Sequence, residues 1–255
     1  MPDETSTNQS IARALTILEL ISRNGYMNLT DLYKAMKISK SSLMRMANTL
    51  RAYGYLSKNE QTGEYSLTLK LYEVGISAVQ NLDKISLINS TLAELSNETG
   101  RIAQFSVEDN NQLLCIQSIG QKSAFFSVYT NVGWRSPLYS TSAGKSILST
   151  YPNEQIIEKW ESFNVKALTE NTHNNVQSLL RDISETRIRC YAVDREENEY
   201  NVFCVGAAVV GYAGAPMGAV SISGKSLTNE EEMAIKDILL PAVKRLSGLL
   251  GYIAN

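Results

Sequence analysis

The segment from Leu29 to Leu56 constrains the fold of this chain more than any other part of the sequence. Its apolar residues recur at helical spacing in two short runs, with Leu32 and Met36 in the first and Leu43 and Leu50 in the second. Few residues separate the runs, so the spacing predicts two short helices joined by a tight turn. Such a pair is typical of DNA-binding proteins, in which the second helix enters the major groove.

The second predicted helix has a polar and cationic outer face. Ser39 is a good N-cap for it, and the helix is expected to run to about Tyr53. The candidate DNA contacts on this face and just after it are Lys40, Ser41, Ser42, Met44, Arg45, Asn48, Arg51 and Lys58. Short helix pairs with exposed lysines also occur in proteins that never touch nucleic acid, so this pattern alone leaves a purely structural role open.

The residues that follow favour DNA binding. Gly54–Lys58 reads as a strand, Asn59–Gly63 as a turn that ends in glycine, and Glu64–Leu67 as the returning strand. A helix-turn-helix followed at once by a hairpin is a winged helix, whose wing commonly lies along the phosphate backbone.

Charge is divided unevenly along the chain. The net charge of −2 argues against a protein that coats nucleic acid without specificity. Residues 29–58 nevertheless hold six basic residues against Asp31 as the single acidic one. Residues 1–70 hold nine basic and six acidic side chains, whereas the rest of the chain holds 15 and 20. A small basic DNA-binding domain attached to a larger acidic domain is therefore predicted.

Length and composition limit the remaining possibilities. A chain of 255 residues can form two domains that each have a core. No run of apolar residues is long enough to span a membrane. Cys115, Cys190 and Cys204 lack metal-ligand spacing, so we expect reduced thiols and a cytoplasmic protein.

Two further helices are predicted on either side of the winged helix. The first spans Ser10 to about Arg23, and the second, a linker helix, spans Leu69–Leu82. The residues expected on the buried face of the first helix are Ile11, Leu15, Leu18 and Ile21. Both helices have apolar stripes that a domain of about 70 residues need not bury itself, so we expect them to pair two chains. The expected divisions are a DNA-binding domain over 1–68, a linker over 69–83 and a C-terminal domain over 84–255.

The C-terminal part alternates between strand and helix patterns. After a helix at 86–99, strands are predicted at 102–108, 112–118, 125–131, 201–210 and 217–223. Helices are predicted from Ser142, Asn153 and Thr172, and a last one over 228–251. An antiparallel sheet with helices on its faces places the chain in the α+β class.

Seven blocks of sequence carry a family resemblance. They are SIARALTIL at 10–18, KSSLMR at 40–45, GYL at 54–56, GEYSL at 63–67, PLYSTSAGK at 137–145, YAVDREEN at 191–198 and SIS at 221–223. In this order they resemble the IclR family of bacterial transcriptional regulators over nearly the whole chain. The resemblance implies a winged helix-turn-helix, a linker helix, a GAF-like effector domain, and dimers or tetramers. Residues 65–71 and 137–141 are similar to the branch that controls sugar-acid breakdown.

Two predicted strands present small or polar residues on one face. Ser221 and Ser223 project to the same side of their strand, and Cys204, Gly206 and Ala208 share a face of another. Such a face can leave room for a ligand or can let a helix pack close to the sheet, and the pattern does not separate these readings. The family resemblance implies a pocket at Ser142, Ala143, Asp194, Cys204, Ser221 and Ser223.

The chemistry of these residues suits a small carboxylate. The helix that opens at Ser142 has free N–H groups that could meet a carboxylate. Asp194 could accept hydrogen bonds from ligand hydroxyls when ionised. Without the resemblance, residues 194–199 read more simply as a solvated charged loop.

Enzyme-like motifs are weak in this chain. Gly144-Lys-Ser146 lacks the earlier glycine of a phosphate-binding loop, because Tyr139 stands there. Ser142 and Lys145 spell the S-x-x-K pattern, but the accompanying motifs of that class are missing. The single histidine, His173, is expected at the surface, and no cofactor, metal site or catalytic residue is predicted.

We therefore expect a ligand-responsive DNA-binding regulator, a repressor of a carbohydrate or sugar-acid catabolic operon that a small carboxylate effector relieves. Its partners would be double-stranded operator DNA, the effector, and a second copy of the chain in a homodimer or tetramer. The alternative is an α+β ligand-sensing module that acts through protein partners, with its winged helix as the interaction surface.

Overall fold

The computed structural model describes residues 8–80, 84–120, 132–211 and 214–251, and the side chains of 76–80 are left aside. The chain divides into two compact units, Met1–Leu82 and Asp83–Asn255. Within the described ranges, no helix is long and apolar enough to cross a membrane.

The first unit is a winged helix. Its elements are α1 (Gln9–Asn24), β1 (Tyr26–Asn28), α2 (Leu29–Met36), α3 (Lys40–Ala52), β2 (Leu56–Lys58), β3 (Glu64–Leu67) and α4 (Lys70–Gln80). The predicted helix pair and hairpin are confirmed. The short strand β1 is not predicted by the sequence pattern, and it pairs antiparallel with β3 to complete a sheet of order β1-β3-β2.

The core of this unit contains the apolar face of each helix. Its fully buried members are Ile17, Ile21, Leu32, Leu43, Ala47, Leu56 and Tyr65. The prediction that Ile11 and Leu15 are buried is wrong for a single chain, because their side chains are 59% and 55% exposed. Helical periodicity identifies an apolar stripe, but only the arrangement of neighbouring elements decides how much of that stripe this unit covers.

The second unit is a six-stranded antiparallel sheet with helices on both faces. Its helices are α5 (Lys84–Thr99), α6 (Ser142–Leu148), α7 (Asn153–Ser162), α8 (Val176–Arg189) and α9 (Asn229–Leu249). Its strands are β4 (Ile102–Asp109), β5 (Gln112–Ile119), β6 (Arg135–Pro137), β7 (Ala192–Arg195), β8 (Phe203–Val210) and β9 (Pro216–Gly224). The strand order is β6-β5-β4-β9-β8-β7, and every neighbouring pair is antiparallel.

The two faces of this sheet have different surroundings. One face presents apolar residues such as Phe105, Val205, Val220 and Ile222 to α5 and α9. The opposite face is covered by α6, with α7 and α8 in an outer apolar cluster. Because successive side chains of a strand alternate, the polar residues of β4 and β9 lie on the α6 side.

Three features of this unit differ from the sequence-based prediction. The three-residue strand β6 and the four-residue strand β7 are not predicted, because such short segments contain too few residues to show alternation. The helix expected from Thr172 begins at Val176 and has Asn175 as its N-cap, since the Thr172 hydroxyl instead accepts from the Leu168 and Thr169 amides. The strand predicted at 125–131 lies outside the described residues.

Candidate functional site

The N-terminal end of α3 presents the candidate DNA contacts. Ser39 caps the helix, since its hydroxyl accepts from the Ser42 amide at 3.3 Å. Lys40, Ser41, Met44, Arg45 and Asn48 are exposed, whereas Ser42 is half-buried and hydrogen-bonded to the cap at 2.9 Å.

Two cations on this surface differ in their surroundings. The Lys40 ammonium lies 5.4 Å from the ring centre of Tyr33, and Lys40 is exposed to solvent. The Arg45 guanidinium makes no ion pair or hydrogen bond with the residues that the structure describes. A guanidinium in this position on a recognition helix can contact a guanine edge or a phosphate.

The other two candidate cations, Arg51 and Lys58, form ion pairs with an acidic residue of the wing. Glu60 accepts from Arg51 Nη2 at 3.1 Å and from Lys58 Nζ at 2.8 Å. These contacts, chiefly the hydrogen bond and charge of Lys58, hold the pKa of Glu60 below its usual value. Arg51 and Lys58 can therefore reach phosphates only by leaving this shared carboxylate.

The six candidate effector residues all line one cavity in the second unit, between the sheet and α6. They are Ser142, Ala143, Asp194, Cys204, Ser221 and Ser223. We call this space the sheet cavity. Its other lining residues are Gln104, Ser106, Leu113, Cys115, Trp134, Ser136, Thr141, Asn198, Glu199 and Val202. Its volume is about 50 Å³, which is enough to hold water.

A row of polar side chains crosses the floor of the sheet cavity. The Ser223 hydroxyl of β9 lies 3.2 Å from the Cys204 sulfur of β8 and donates to Gln104 Oε1 of β4 over 3.4 Å. Gln104 Nε2 in turn donates to the Cys115 sulfur of β5 over 3.4 Å. Burial raises the pKa of the Cys204 thiol, so this row is uncharged. It can offer hydrogen bonds to a ligand without adding charge.

The small residues on one face of β8 do two things: they leave room for a ligand, and they let a helix pack close to the sheet. Cys204 lines the sheet cavity, but Gly206 lies beneath α6. A Cβ at Gly206 would come within 2.9 Å of the Ala143 nitrogen and the Ser142 carbonyl carbon. Gly206 also accepts from the Ser146 hydroxyl at 2.7 Å. The glycine therefore brings α6 close enough for Ser142 and Ala143 to reach the cavity.

Ser142 is the most unusual of the lining residues. It is 1% exposed, and its hydroxyl oxygen has no hydrogen-bond partner among the described residues. A buried hydroxyl without a partner costs free energy, so this atom is suited to a ligand or a water. One first-turn amide that we expected to be free is already used, since the Gly144 N–H donates to Thr141 Oγ1 at 3.1 Å.

Lys145 connects the two walls of the cavity. Its fully buried ammonium donates to Asp182 Oδ2 and Glu197 Oε1, each at 2.5 Å, and to the Val193 carbonyl at 2.6 Å. Burial by itself would lower the pKa of Lys145, but the carboxylates of Glu197 and Asp182 reverse the effect and raise it. Lys145 is thus held as a cation that fixes α6 against β7. A protonated lysine cannot accept a proton, so Lys145 cannot act as the base of a Ser-Lys nucleophile pair.

The reading of residues 194–199 as a solvated loop is wrong. Asp194 is on β7, and it is buried along with Glu197 and Asn198. Asp194 Oδ1 accepts from the Glu197 amide at 2.8 Å. Burial and the nearby charge of Glu197 nevertheless raise the pKa of Asp194 to about 8. Asp194 is therefore mainly protonated at neutral pH and can donate a hydrogen bond, whereas we expected only an acceptor.

His173 is also not a surface residue. Its side chain is 17% exposed, with Nε2 3.2 Å from Asp182 Oδ2 and 3.5 Å from Glu197 Oε2. These three side chains have the ligand types of a metal site, and their ligand atoms lie within 4.8 Å of one another. The Lys145 ammonium already pairs with both carboxylates, and Arg189 lies 3.2 Å from Asp182, so a metal ion would have to displace Lys145. This donor set is a poor fit for a resident metal.

Some of the cavity-lining residues that were not predicted do follow a recognisable sequence pattern. Gln104 and Ser106 alternate with buried Ala103 and Phe105 on β4, which is the pattern that identified Ser221 and Ser223. Asn198 and Glu199 follow β7 in a loop without periodicity, so no pattern indicated them.

Comparisons with known proteins agree with this architecture. A family model described as "Bacterial transcriptional regulator IclR C-terminal" matches residues 76–248, and one described as "IclR helix-turn-helix domain" matches residues 10–60. The chain belongs to the IclR family. Members of this family are transcriptional regulators, and this chain is a DNA-binding transcriptional regulator rather than an enzyme.

Individual IclR-family relatives match over nearly their whole length. The chain is 32% identical to the Escherichia coli HTH-type transcriptional regulator XynR, over 96% of this chain and 98% of that protein. It is 29% identical to the E. coli HTH-type transcriptional regulator KdgR, over 98% and 95%. The crystal structure of the Thermotoga maritima IclR superposes with a TM-score of 0.80 at 28% identity, covering 95% of this chain and 99% of that one.

Proposed function

We propose that this IclR-family protein is a repressor of a carbohydrate or sugar-acid catabolic operon, and that a small carboxylate bound in the sheet cavity releases it from its operator in the cytoplasm. The observation that carries the proposal is the buried hydroxyl of Ser142, which has no hydrogen-bond partner among the described residues, in a cavity that all six candidate residues line. A ligand carboxylate can accept hydrogen bonds from Ser142, Ser221 and protonated Asp194.

The cavity favours a hydroxylated acid over a purely apolar one. Neutral groups that both donate and accept, such as Ser106, Ser136 and Gln104, line it beside the apolar Leu113 and Val202. A hydroxylated acid would displace the water that such a polar space can hold.

Regulation would follow from a shift in population. An effector can favour a dimer arrangement whose two α3 helices no longer match half-sites spaced about one helical turn apart. A coupling free energy of roughly 1–3 kcal/mol changes operator affinity about 5- to 150-fold.

The DNA-binding part of the proposal is tested on the DNA upstream of the protein's own gene. Replacement of exposed Arg45 by alanine removes a base or phosphate contact worth about 1–3 kcal/mol, so operator affinity should fall at least several-fold. Lys40→Ala should weaken binding and reduce its salt dependence. Arg181→Ala removes the same charge from an exposed position in the second unit and is the matched control. Unchanged affinity in both Arg45→Ala and Lys40→Ala would contradict the docking of α3.

The effector part is tested by operator binding across a titration of carboxylic acids. Ser221→Ala should reduce or abolish the response to effector and leave effector-free operator affinity intact, because Ser221 is in the second unit. Ser90→Ala on α5 is a control, since Ser90 is exposed and its hydroxyl donates to the Leu87 carbonyl of the same helix. Release of DNA by Ser221→Ala at the wild-type effector concentration would place the ligand elsewhere.

The proposal includes a homodimer, or a tetramer built from it. Ile11 and Leu15 on α1 and Tyr72 and Val74 on α4 are exposed apolar side chains of the first unit. Such a group of exposed apolar residues is typical of an association surface. Leu15→Ser should weaken self-association in sedimentation and lower operator affinity, whereas Glu19→Gln on the same helix should not. A wild-type monomer at micromolar concentration with intact operator binding would contradict this arrangement.

A further inference from the structure

Glu199 is an acidic residue of the sheet cavity that neither the sequence pattern nor the family resemblance marked as a ligand contact. It follows β7 and lines the cavity together with its neighbour Asn198. Its carboxylate oxygen Oε2 is buried and has no hydrogen-bond partner among the described residues. Its side chain forms no ion pair there either, although Asp182 and Glu197 share Lys145.

An ionised carboxylate oxygen can only accept hydrogen bonds. A buried acceptor without a donor carries a desolvation cost, and a donor that arrives with a ligand removes it. Ser142 already provides a hydroxyl for a ligand carboxylate in the same cavity. These two atoms, one hydroxyl and one carboxylate oxygen, have no partner in the part of the chain that the structure describes, so a ligand with both an acceptor and a donor would satisfy them.

We infer that Glu199 sets effector specificity, because its buried oxygen accepts a hydrogen bond from a hydroxyl of a hydroxylated carboxylate. This inference rests on the proposed function and assigns the preference for a hydroxylated acid to one residue, Glu199. A hydroxyl suits the cavity better than an ammonium does. Ser106, Ser136 and Gln104, which line the same cavity, can exchange hydrogen bonds in both directions with a hydroxyl, whereas an ammonium only donates.

The test compares acids that differ only in their hydroxyl groups. Binding of glycerate against propionate, and of gluconate against hexanoate, is measured by calorimetry and by the fluorescence of Trp134, which lines the cavity. We expect the full-length wild type to bind at least one hydroxylated acid about 10- to 100-fold more tightly than its partner, the range for a hydrogen bond to a charged group.

Two variants assign that preference to Glu199. Glu199→Met keeps the length of the side chain but has no oxygen acceptor, so the ratio of the two dissociation constants should fall close to one. Glu199→Gln loses the charge but keeps an acceptor oxygen, so it should retain a smaller preference of about 2- to 10-fold, the range for a neutral hydrogen bond. The ratio is the informative quantity, because loss of a negative charge strengthens the binding of both acids of a pair alike.

The outcomes separate the inference from the proposed function. Equal binding of both acids of a pair by the wild type, or a preference that survives in Glu199→Met, would overturn the role of Glu199 and leave a carboxylate effector in place. Tighter binding of alanine, the amino acid matched to glycerate and propionate, would also overturn it in favour of an ammonium ligand. If no acid binds or alters operator affinity, the proposed function fails together with the inference.

Discussion

Replacement of Asp194 by asparagine should make the second unit more stable at neutral pH and change how its stability depends on pH. Asp194 is buried, and its pKa is raised from 3.8 to about 8 by burial and by the charge of Glu197. Between these two values the folded state holds a proton that the unfolded state has lost. The free energy of unfolding therefore falls as the pH rises through this window.

The size of the effect follows from the two pKa values. Each pKa unit corresponds to about 1.4 kcal/mol, so Asp194 costs the wild type about 4 kcal/mol at pH 7 relative to acidic conditions. Between pH 5.5 and 8 the wild type should lose about 3 kcal/mol through this group alone. Asparagine has no such titration, and its amide oxygen can still accept from the Glu197 amide that bonds Asp194 Oδ1 at 2.8 Å.

Urea unfolding followed by tryptophan fluorescence measures this difference. The chain's two tryptophans, Trp134 and Trp160, are both in the second unit, so the signal reports its unfolding in the full-length protein. The quantity of interest is the difference between variant and wild type at each pH, since titrating groups that do not interact with Asp194 cancel in it. Parallel pH profiles for the two proteins would refute the protonated state of Asp194.

Three other substitutions test the contacts of Glu60, Lys145 and Gly206. Glu60→Gln should tighten operator binding and steepen its salt dependence, because it frees Arg51 and Lys58 for phosphates; unchanged salt titrations would contradict this. Lys145→Met leaves the buried Glu197 carboxylate without its lysine partner, whereas Asp182 keeps Arg189, and should lower the free energy of unfolding by about 3–5 kcal/mol, measured by urea titration. Gly206→Ala places a Cβ against the backbone of α6 and should cost about 1–3 kcal/mol and weaken effector binding in calorimetry, whereas wild-type values would show that α6 can move away.

The periodic parts of the fold could be predicted from the sequence. Leu32, Leu43 and Ala47 recur at helical spacing and are buried in the winged helix, and Ser221 and Ser223 alternate with buried Val220 and Ile222. In these segments local pattern and tertiary packing agree, so the pattern is sufficient.

The contacts that shape the cavity walls could not be predicted in this way. Lys145 lies 37 residues from Asp182 and 52 from Glu197, and no local pattern connects residues so far apart in the chain. The exposure of Leu15 shows a second limit. An apolar stripe indicates a surface to be covered, but its sequence does not say whether the same chain covers it.

The change in operator affinity caused by an acid bound in the sheet cavity is the most direct test of the proposed mechanism. Fluorescence anisotropy of labelled upstream DNA gives the dissociation constant of the full-length protein with and without saturating hydroxy acid. Ligand-responsive repression predicts a weakening of about 5- to 150-fold in the wild type and none in Ser221→Ala. A dissociation constant that stays the same in the wild type, while Trp134 fluorescence shows the acid bound, would contradict coupling between the cavity and DNA.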